Sequence, residues 1–284
     1  MGVYRLQLLR RYFAEWENVS LRGPLWIGLF KMTATAIIYT SEGFAIAADG
    51  RELWEDPVAH KRTLPDGGDE VQKIFCTRRE QGTLAYVLRG GVASEHRSFD
   101  LEAELRDRLL LLNRSEFNTC ADFLGLLATH LASAIKVADQ AGKLKEPLEA
   151  RISFAGYFKN APSWIDLRFS SHPGLGDPIH QLVEPYPGRD LRPGAVMVSG
   201  YPIVRDLILE HDPRFAQFFP QYGKPVHTMP LQEAACYAKG YIDAFASPLA
   251  LTLDPSCEAI GGHVHVATVT PGDGFQWVVR PVGK

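Results

Sequence analysis

Met32-Thr33 stands at the head of the first apolar run in this chain, and Asp49 stands at the tail of the second. Between them lie Ala34 to Tyr39, the turn Thr40-Ser41-Glu42-Gly43, and Phe44 to Ala48. A start at Met32 followed by methionine removal leaves Thr33 as the N-terminal residue, because the threonine side chain is small. Such a residue carries two reactive groups. Its hydroxyl is a nucleophile, and its own α-amine can take the proton. A free α-amine titrates near about 8, so a large neutral fraction exists at physiological pH. A neighbouring ammonium lowers that value, and a carboxylate holds the ammonium in place. Asp49 taken alone reads as a turn residue at a strand end.

Other chemistry is thinly represented. The chain has no G-x-S-x-G, no P-loop and no H-E-x-x-H, so no cofactor and no metal is expected. His263 and His265 alternate onto one face of a predicted strand, but no third ligand is evident, and a partly exposed strand is the simpler reading. Ser199-Gly200 at a strand-to-helix turn fits an N-cap. The four cysteines, Cys76, Cys120, Cys236 and Cys257, form no C-x-x-C pair and fit a reducing, cytoplasmic compartment. A formal net charge of −3 gives no electrostatic argument for nucleic acid or an anionic membrane. No uninterrupted apolar run reaches the roughly eighteen residues that span a bilayer.

These candidates need elements to position them, and the hydrophobic periodicity supplies an outline. The 284 residues, 46% hydrophobic and 22% charged, can bury one sizeable core. Strands are predicted at 34–39, 44–48, 71–76 and 83–88, with an exposed loop over 52–70. Phe99, Leu101, Leu105, Leu109 and Leu112 predict a helix, and Leu124, Leu127, Leu131 and Ile135 predict a second, capped at Asn118-Thr119 and ended by Gly142. Strands return at 152–157 and 164–169. A Pro- and Gly-rich crossing over 172–194 follows, then a short strand at 195–198, helices over 200–209 and 231–245, and a closing hairpin of 264–269 with 275–279. Strands and helices come in alternating blocks, which argues for α+β layers rather than a doubly wound parallel sheet. Two antiparallel sheets between helix layers would bury every apolar face.

The segment Thr33 to Arg51 resembles the start of a mature proteasome β-subunit, and also the related bacterial peptidase that partners an ATPase ring. The spacing from Thr33 to the Ala47-Ala48-Asp49-Gly50-Arg51 ending matches without a gap, and Gly43 falls on the family's turn glycine. Val71-Gln72-Lys73-Ile74-Phe75 resembles the strand that bears the catalytic lysine, after a longer loop than usual. Arg89-Gly90-Gly91 resembles the Ala-Gly-Gly whose backbone N–H is the oxyanion donor, and Val198-Ser199-Gly200 resembles the Gly-Ser-Gly whose serine supports the terminal amine. The resemblance implies the four-layer αββα sandwich of N-terminal nucleophile hydrolases over residues 33–284. It implies Thr33 as nucleophile, with Asp49, Lys73, Gly90 (oxyanion N–H) and Ser199 in the site. It further implies a peptide or amide substrate, a homo-oligomeric ring or stacked assembly, and an ATPase as a partner. One departure stands out. Where the family has Asp-x-x-Ser-Gly-Gly, this chain has Cys257-Glu258-Ala259-Ile260-Gly261-Gly262, with Glu258 or Asp254 as candidate substitutes.

Residues 1–32 read as an extension: upstream sequence from a mis-called start, a removable pro-segment, or an interaction tail. Cleavage of peptide bonds by a threonine-type hydrolase is the leading expectation. Its alternatives are a non-catalytic subunit that scaffolds a proteasome-like assembly, and an amidohydrolase of a small acylated metabolite.

Overall fold

Two five-stranded antiparallel sheets stack face to face, and helices cover each outer face. The computed structural model describes residues 33–55, 62–64, 67–90, 98–144, 147–174, 176–185 and 191–282. The expected extension, residues 1–32, lies outside them, as does Gly91. In chain order the strands are β1 (Thr35–Tyr39), β2 (Phe44–Ala48), β3 (Trp54–Glu55), β4 (Arg62–Thr63), β5 (Ile74–Arg79), β6 (Gly82–Gly90), β7 (Leu148–Phe158), β8 (Ala161–Ser171), β9 (Ile179–Val183), β10 (Val196–Ser199), β11 (His265–Thr270) and β12 (Gly274–Val279). The helices are α1 (Leu101–Leu112), α2 (Cys120–Gln140), α3 (Pro202–Leu209), α4 (Leu231–Phe245) and α5 (Pro248–Leu253).

The first sheet runs β10-β1-β2-β11-β12 and the second β5-β6-β7-β8-β9. Three buried clusters correspond to the three interfaces of four layers. Leu105, Phe123, Leu127 and Leu131 of α1 and α2 pack on Leu84, Tyr86, Ile152 and Phe154 of the second sheet. Ala36, Ile38, Ala45 and Ala47 of the first sheet pack on Val204, Ala238, Tyr241 and Phe245 of α3 and α4. Between the sheets lie Ile37, Phe44, Ile46, Val87, Ala155 and Trp164. The αββα sandwich expected from the block order of strands and helices is thus the observed architecture.

This layering explains why β1 and β2 read as unbroken apolar runs. Every residue of both is buried, because one face meets the second sheet and the other meets α4. A strand covered on both sides has no polar face to show. The turn between them leaves no space for a side chain at Gly43, where a Cβ would lie 2.4 Å from the Val269 carbonyl oxygen. Thr40 closes that turn, its Oγ1 accepting from the Glu42 N–H at 3.2 Å.

Helix α2 starts on a capping box: Thr119 Oγ1 accepts from the Asp122 N–H at 3.0 Å, and Asp122 accepts from the Thr119 N–H at 3.0 Å. With a mean hydropathy of 1.3 over its most apolar stretch, α2 is long and apolar enough to cross a bilayer. Its buried stripe (Phe123, Leu124, Leu127, Leu131 and Ile135) packs against the second sheet instead.

The structure differs from the sequence outline in several places. The strand expected at 71–76 begins only at Ile74, because Val71 donates its N–H to the Gly50 carbonyl at 2.9 Å and so belongs to the loop packing. β7 and β8 run to 11 residues each, longer than their apolar centres. The crossing over 172–194 contains β9, an edge strand whose exposed residues Ile179, His180 and Gln181 lack a half-buried alternation. α5 was hidden by its brevity, and the loop over 52–70 holds the two-residue ladder β3–β4.

Phe44 is fully buried and stacks on Tyr39 at 4.5 Å, with Tyr157 and Trp164 edge-on. Phe44→Ala is therefore expected to cost about 3–5 kcal/mol, read as a lowered midpoint in chemical denaturation.

Candidate functional site

Four chain segments converge where the first sheet ends. β1 pairs antiparallel with β10, placing Thr35 opposite Ser199, and with β2, placing Thr35 opposite Ala48. β2 also pairs with β11, placing Ala48 opposite His265. The residues just outside these pairs are Thr33-Ala34, Asp49-Gly50-Arg51, Gly200 and Gly261-Gly262. Pairing register alone brings the start of β1, the end of β2, the end of β10 and the approach to β11 to one place.

Asp49 is the centre of the arrangement and is fully buried. Its Oδ1 accepts from the Ala34 N–H at 3.0 Å. Its Oδ2 accepts from Lys73 Nζ at 3.1 Å and from the N–H groups of Arg51 at 3.3 Å and Gly261 at 3.4 Å. Its own N–H donates to the Ala34 carbonyl at 3.2 Å, so both polar groups of Ala34 are held by one residue. Burial pushes the Asp49 carboxyl above the usual carboxylate range, while the Lys73 ammonium and the two Oδ2-bound amides pull it back. Lys73 is also buried and donates to the Arg51 carbonyl at 2.5 Å. The Lys73 carbonyl accepts from the Leu88 N–H at 3.4 Å, which ties the lysine to β6.

Ser199 fixes the other flank. Its hydroxyl donates to the Thr33 carbonyl at 3.1 Å, accepts from the Thr35 N–H at 3.2 Å, and lies 2.6 Å from Thr35 Oγ1. The serine thus grips the backbone around Thr33. Thr33 itself is half-buried. Gly90 closes β6 two residues beyond Leu88, with φ +88°, a left-handed backbone that suits glycine. A Cβ there would meet the Glu149 carbonyl oxygen at 2.2 Å.

The site has residues that the sequence reading left out. Arg51 clasps the Asp69 carboxylate, with Nε at 2.6 Å, and reaches the Glu258 carbonyl at 3.0 Å. The loop 67–71 is thereby pinned to the loop 257–262. Gly262, at φ +72°, allows the two loops to touch, since a Cβ would lie 2.4 Å from the Asp69 carbonyl oxygen. Arg51 belonged to the quoted Ala-Ala-Asp-Gly-Arg ending, and that was the available signal. Asp69 had none, because its partner is distant in sequence.

The departures at 257 and 260 resolve into packing. Cys257 and Ile260 are buried in the core beneath α4, and burial pushes the Cys257 thiol up to about 12. Neither candidate substitute takes over. Asp254 caps the turn that follows it, accepting from the Ser256 N–H at 2.9 Å, and Glu258 is exposed. The segment supplies Asp49 with the Gly261 amide instead. The His263 and His265 rings lie 5.3 Å apart, but not on an exposed strand face. His263 precedes β11 with Nε2 2.7 Å from the Arg280 carbonyl, while His265 is buried against Trp277. No group of three potential metal ligands occurs among the described residues.

Asp49→Ala leaves the Lys73 ammonium buried without its carboxylate and strips three amides of their acceptor. The expected loss is about 3–5 kcal/mol in equilibrium unfolding. Ser199→Ala removes one hydroxyl from a part-buried cluster and should cost about 1–3 kcal/mol by the same measurement.

Among solved structures, the chain is similar to the helical assembly of the Anbu complex from Pseudomonas aeruginosa, with 11% identity, 89% of this chain and 88% of that chain covered, and a TM-score of 0.50. Two further similar structures are a Gly-1 mutant of Anbu from Hyphomicrobium sp. strain MC1 (13% identity, 87% of each chain, TM-score 0.49) and Anbu, an ancestral β-subunit, from Yersinia bercovieri (13%, 87% of each chain, TM-score 0.46). No family model and no curated protein matches the chain. These findings correct the resemblance drawn from Thr33 to Arg51. The structure whose likeness carries the fold is the Anbu complex of Pseudomonas aeruginosa rather than a proteasome β-subunit, and no family model or curated protein supports a threonine peptidase. Fold does not fix chemistry. The chain has a mixed α+β architecture of two antiparallel sheets and covering helices, a fold similar to that of the Pseudomonas aeruginosa Anbu structure.

Proposed function

We propose that this chain hydrolyses an amide bond, with Thr33 as an N-terminal nucleophile. The observation that carries the reading is the buried Asp49 carboxylate, which binds Lys73 Nζ and the N–H of the residue after Thr33 at once. An ammonium is thereby held within one residue of a threonine. Ser199 grips the Thr33 carbonyl from the opposite side, so the residue is anchored on both flanks.

The chemistry follows from those groups. Thr33 Oγ attacks the amide carbonyl and its proton passes to the Thr33 α-amine, which requires that residues 1–32 be absent from the working protein. The Lys73 charge disfavours a second cation nearby and keeps that amine neutral, and Asp49 holds Lys73 in place. The Gly90 N–H is the proposed donor to the developing oxyanion; losing one such donor typically costs about 10² to 10³ in rate. The C–N bond then breaks, the amine leaves with the proton, and water hydrolyses the threonine ester.

A second reading, a non-catalytic subunit, draws on Cys257 and Ile260, which bring no polar group toward Thr33. The two readings part on one measurement: N-terminal sequencing of protein expressed from its own gene context. Thr33 as first residue, with amide hydrolysis abolished by Thr33→Ala, is the expected result. A chain that retains Lys31-Met32 overturns the hydrolase and leaves the scaffold.

Self-association belongs to the same proposal. It is supported by the helical assembly described for the Pseudomonas aeruginosa Anbu complex and by Leu110, Leu111, Val137 and Ile203, which stand exposed on α1, α2 and α3. Light scattering at micromolar concentration should report a particle several times the 31.6 kDa chain. A cytoplasmic location is likewise proposed, supported by four free thiols, two of them exposed at Cys76 and Cys236.

A further inference from the structure

The three donors to Asp49 Oδ2 (Lys73 Nζ and the N–H groups of Arg51 and Gly261) all lead back to Arg51. Arg51 supplies one of the amides itself. Its carbonyl accepts from Lys73 Nζ at 2.5 Å, so the arginine backbone fixes where the ammonium can sit. Gly261 is held from two sides. Its carbonyl accepts from the Gly50 N–H at 3.0 Å, and three residues upstream the Glu258 carbonyl accepts from Arg51 Nη1 at 3.0 Å. Where the Arg51 side chain lies therefore bears on every contact that Oδ2 makes.

Asp69 anchors that side chain. Arg51 Nε donates to Asp69 Oδ1 at 2.6 Å and Nη2 donates to Oδ2 at 3.4 Å, a two-pronged contact that sets direction as well as distance. The Asp69 backbone extends the hold, its carbonyl accepting from the His263 N–H at 2.7 Å. On either side, the Gly68 carbonyl accepts from the Glu52 N–H at 2.6 Å and the Gly50 carbonyl from the Val71 N–H at 2.9 Å. The segments 50–52, 67–71 and 258–263 are thus tied into one knot around the Arg51 fork. The knot is tight: a Cβ at Gly50 would lie 2.5 Å from the His263 carbonyl oxygen, and one at Gly261 would lie 2.9 Å from Arg51 Cζ. The Arg51 and Asp69 side chains nonetheless remain 27% and 39% exposed. An ion pair so open to water adds little to global stability, so what it fixes is geometry.

We propose that Asp69 is a positioning residue for Lys73 and Asp49: through the Arg51 fork it fixes the carbonyl to which Lys73 donates and the backbone that brings the Gly261 N–H to Asp49. Asp69 acts through Arg51 and takes no part in bond making. Its effect on catalysis rests on the hydrolase reading above; its hold on the lysine rests on the contacts alone. Lysine carries its charge on a flexible four-carbon stem, so one carboxylate does not set the direction of the ammonium. The Arg51 carbonyl is the second acceptor that does, and it stays in place only while the fork is closed on Asp69.

Lysine acetylation by an N-hydroxysuccinimide ester, read residue by residue through peptide mass mapping, tests this without any substrate. The buried Lys73 should label slowly beside the exposed Lys159 of the same sample. Asp69→Asn should raise the Lys73-to-Lys159 labelling ratio by about tenfold or more, as local opening gives, and Asp69→Glu should restore part of the protection. Amide exchange at Leu127 and Leu131 in α2 should stay as it was. An unchanged ratio in Asp69→Asn overturns the proposal, and so does a rise matched by an equal loss of α2 protection, which would make Asp69 a stabiliser of the whole fold. If Asp69→Asn fails to fold, Arg51→Lys, which opens the fork and keeps the charge, decides by the same ratio. Turnover of an acyl-alanine p-nitroanilide is the separate arm: Asp69→Asn should lower kcat about tenfold with KM little changed, and a change confined to KM overturns the proposal. If the unmutated protein hydrolyses no amide, the hydrolase reading falls and the labelling ratio still decides on Asp69. Hydrolysis with an unmoved ratio sinks the role of Asp69 alone.

Discussion

A carboxylate with no access to water constrains this structure more than any other group. Isolated burial of Asp49 would be prohibitive, so the surroundings must supply a counter-charge and enough donors. Lys73 supplies the charge, and the amides of Ala34, Arg51 and Gly261 supply the rest. Each donor comes from a different segment, and each is in place only when β1, β2, β5 and β11 are in register. One buried ion pair thus couples the register of the first sheet to the start of the second. It also immobilises the backbone on which Thr33 stands.

The same sheet edge shows how a fold and its chemistry can diverge. The alternating apolar positions of both sheets need only volume and hydrophobicity, so the sandwich can survive at about a tenth identity to its neighbours. Polar positions have no such freedom. Cys257 and Ile260 are apolar and buried in the core beneath α4, where they offer no hydrogen bond to the sheet edge.

Local order set much of this in the sequence. Unbroken apolar runs at 34–39 and 44–48 identified strands covered on both faces, and the leucine spacing of 101–112 and 124–135 identified helices. The alternation of strand blocks with helix blocks identified the layers. Thr33, Asp49, Lys73 and Ser199 were singled out at or beside the ends of such elements, and the structure brings Asp49 to Lys73 and Ser199 to Thr33.

Long-range pairing decided the rest. Sequence spacing gives no sign that Arg51 would meet Asp69, because that contact depends on two loops touching through Gly262. Arg89, Arg151 and Arg168 are likewise scattered along the chain among ordinary charges. Only antiparallel register places them side by side, and only sheet stacking turns Arg89 and Arg151 toward Met197. Hydrophobic periodicity is a property of neighbours in sequence and survives in the sequence alone. The meeting of charges is a property of neighbours in space, and it exists only once the sheets have paired and stacked.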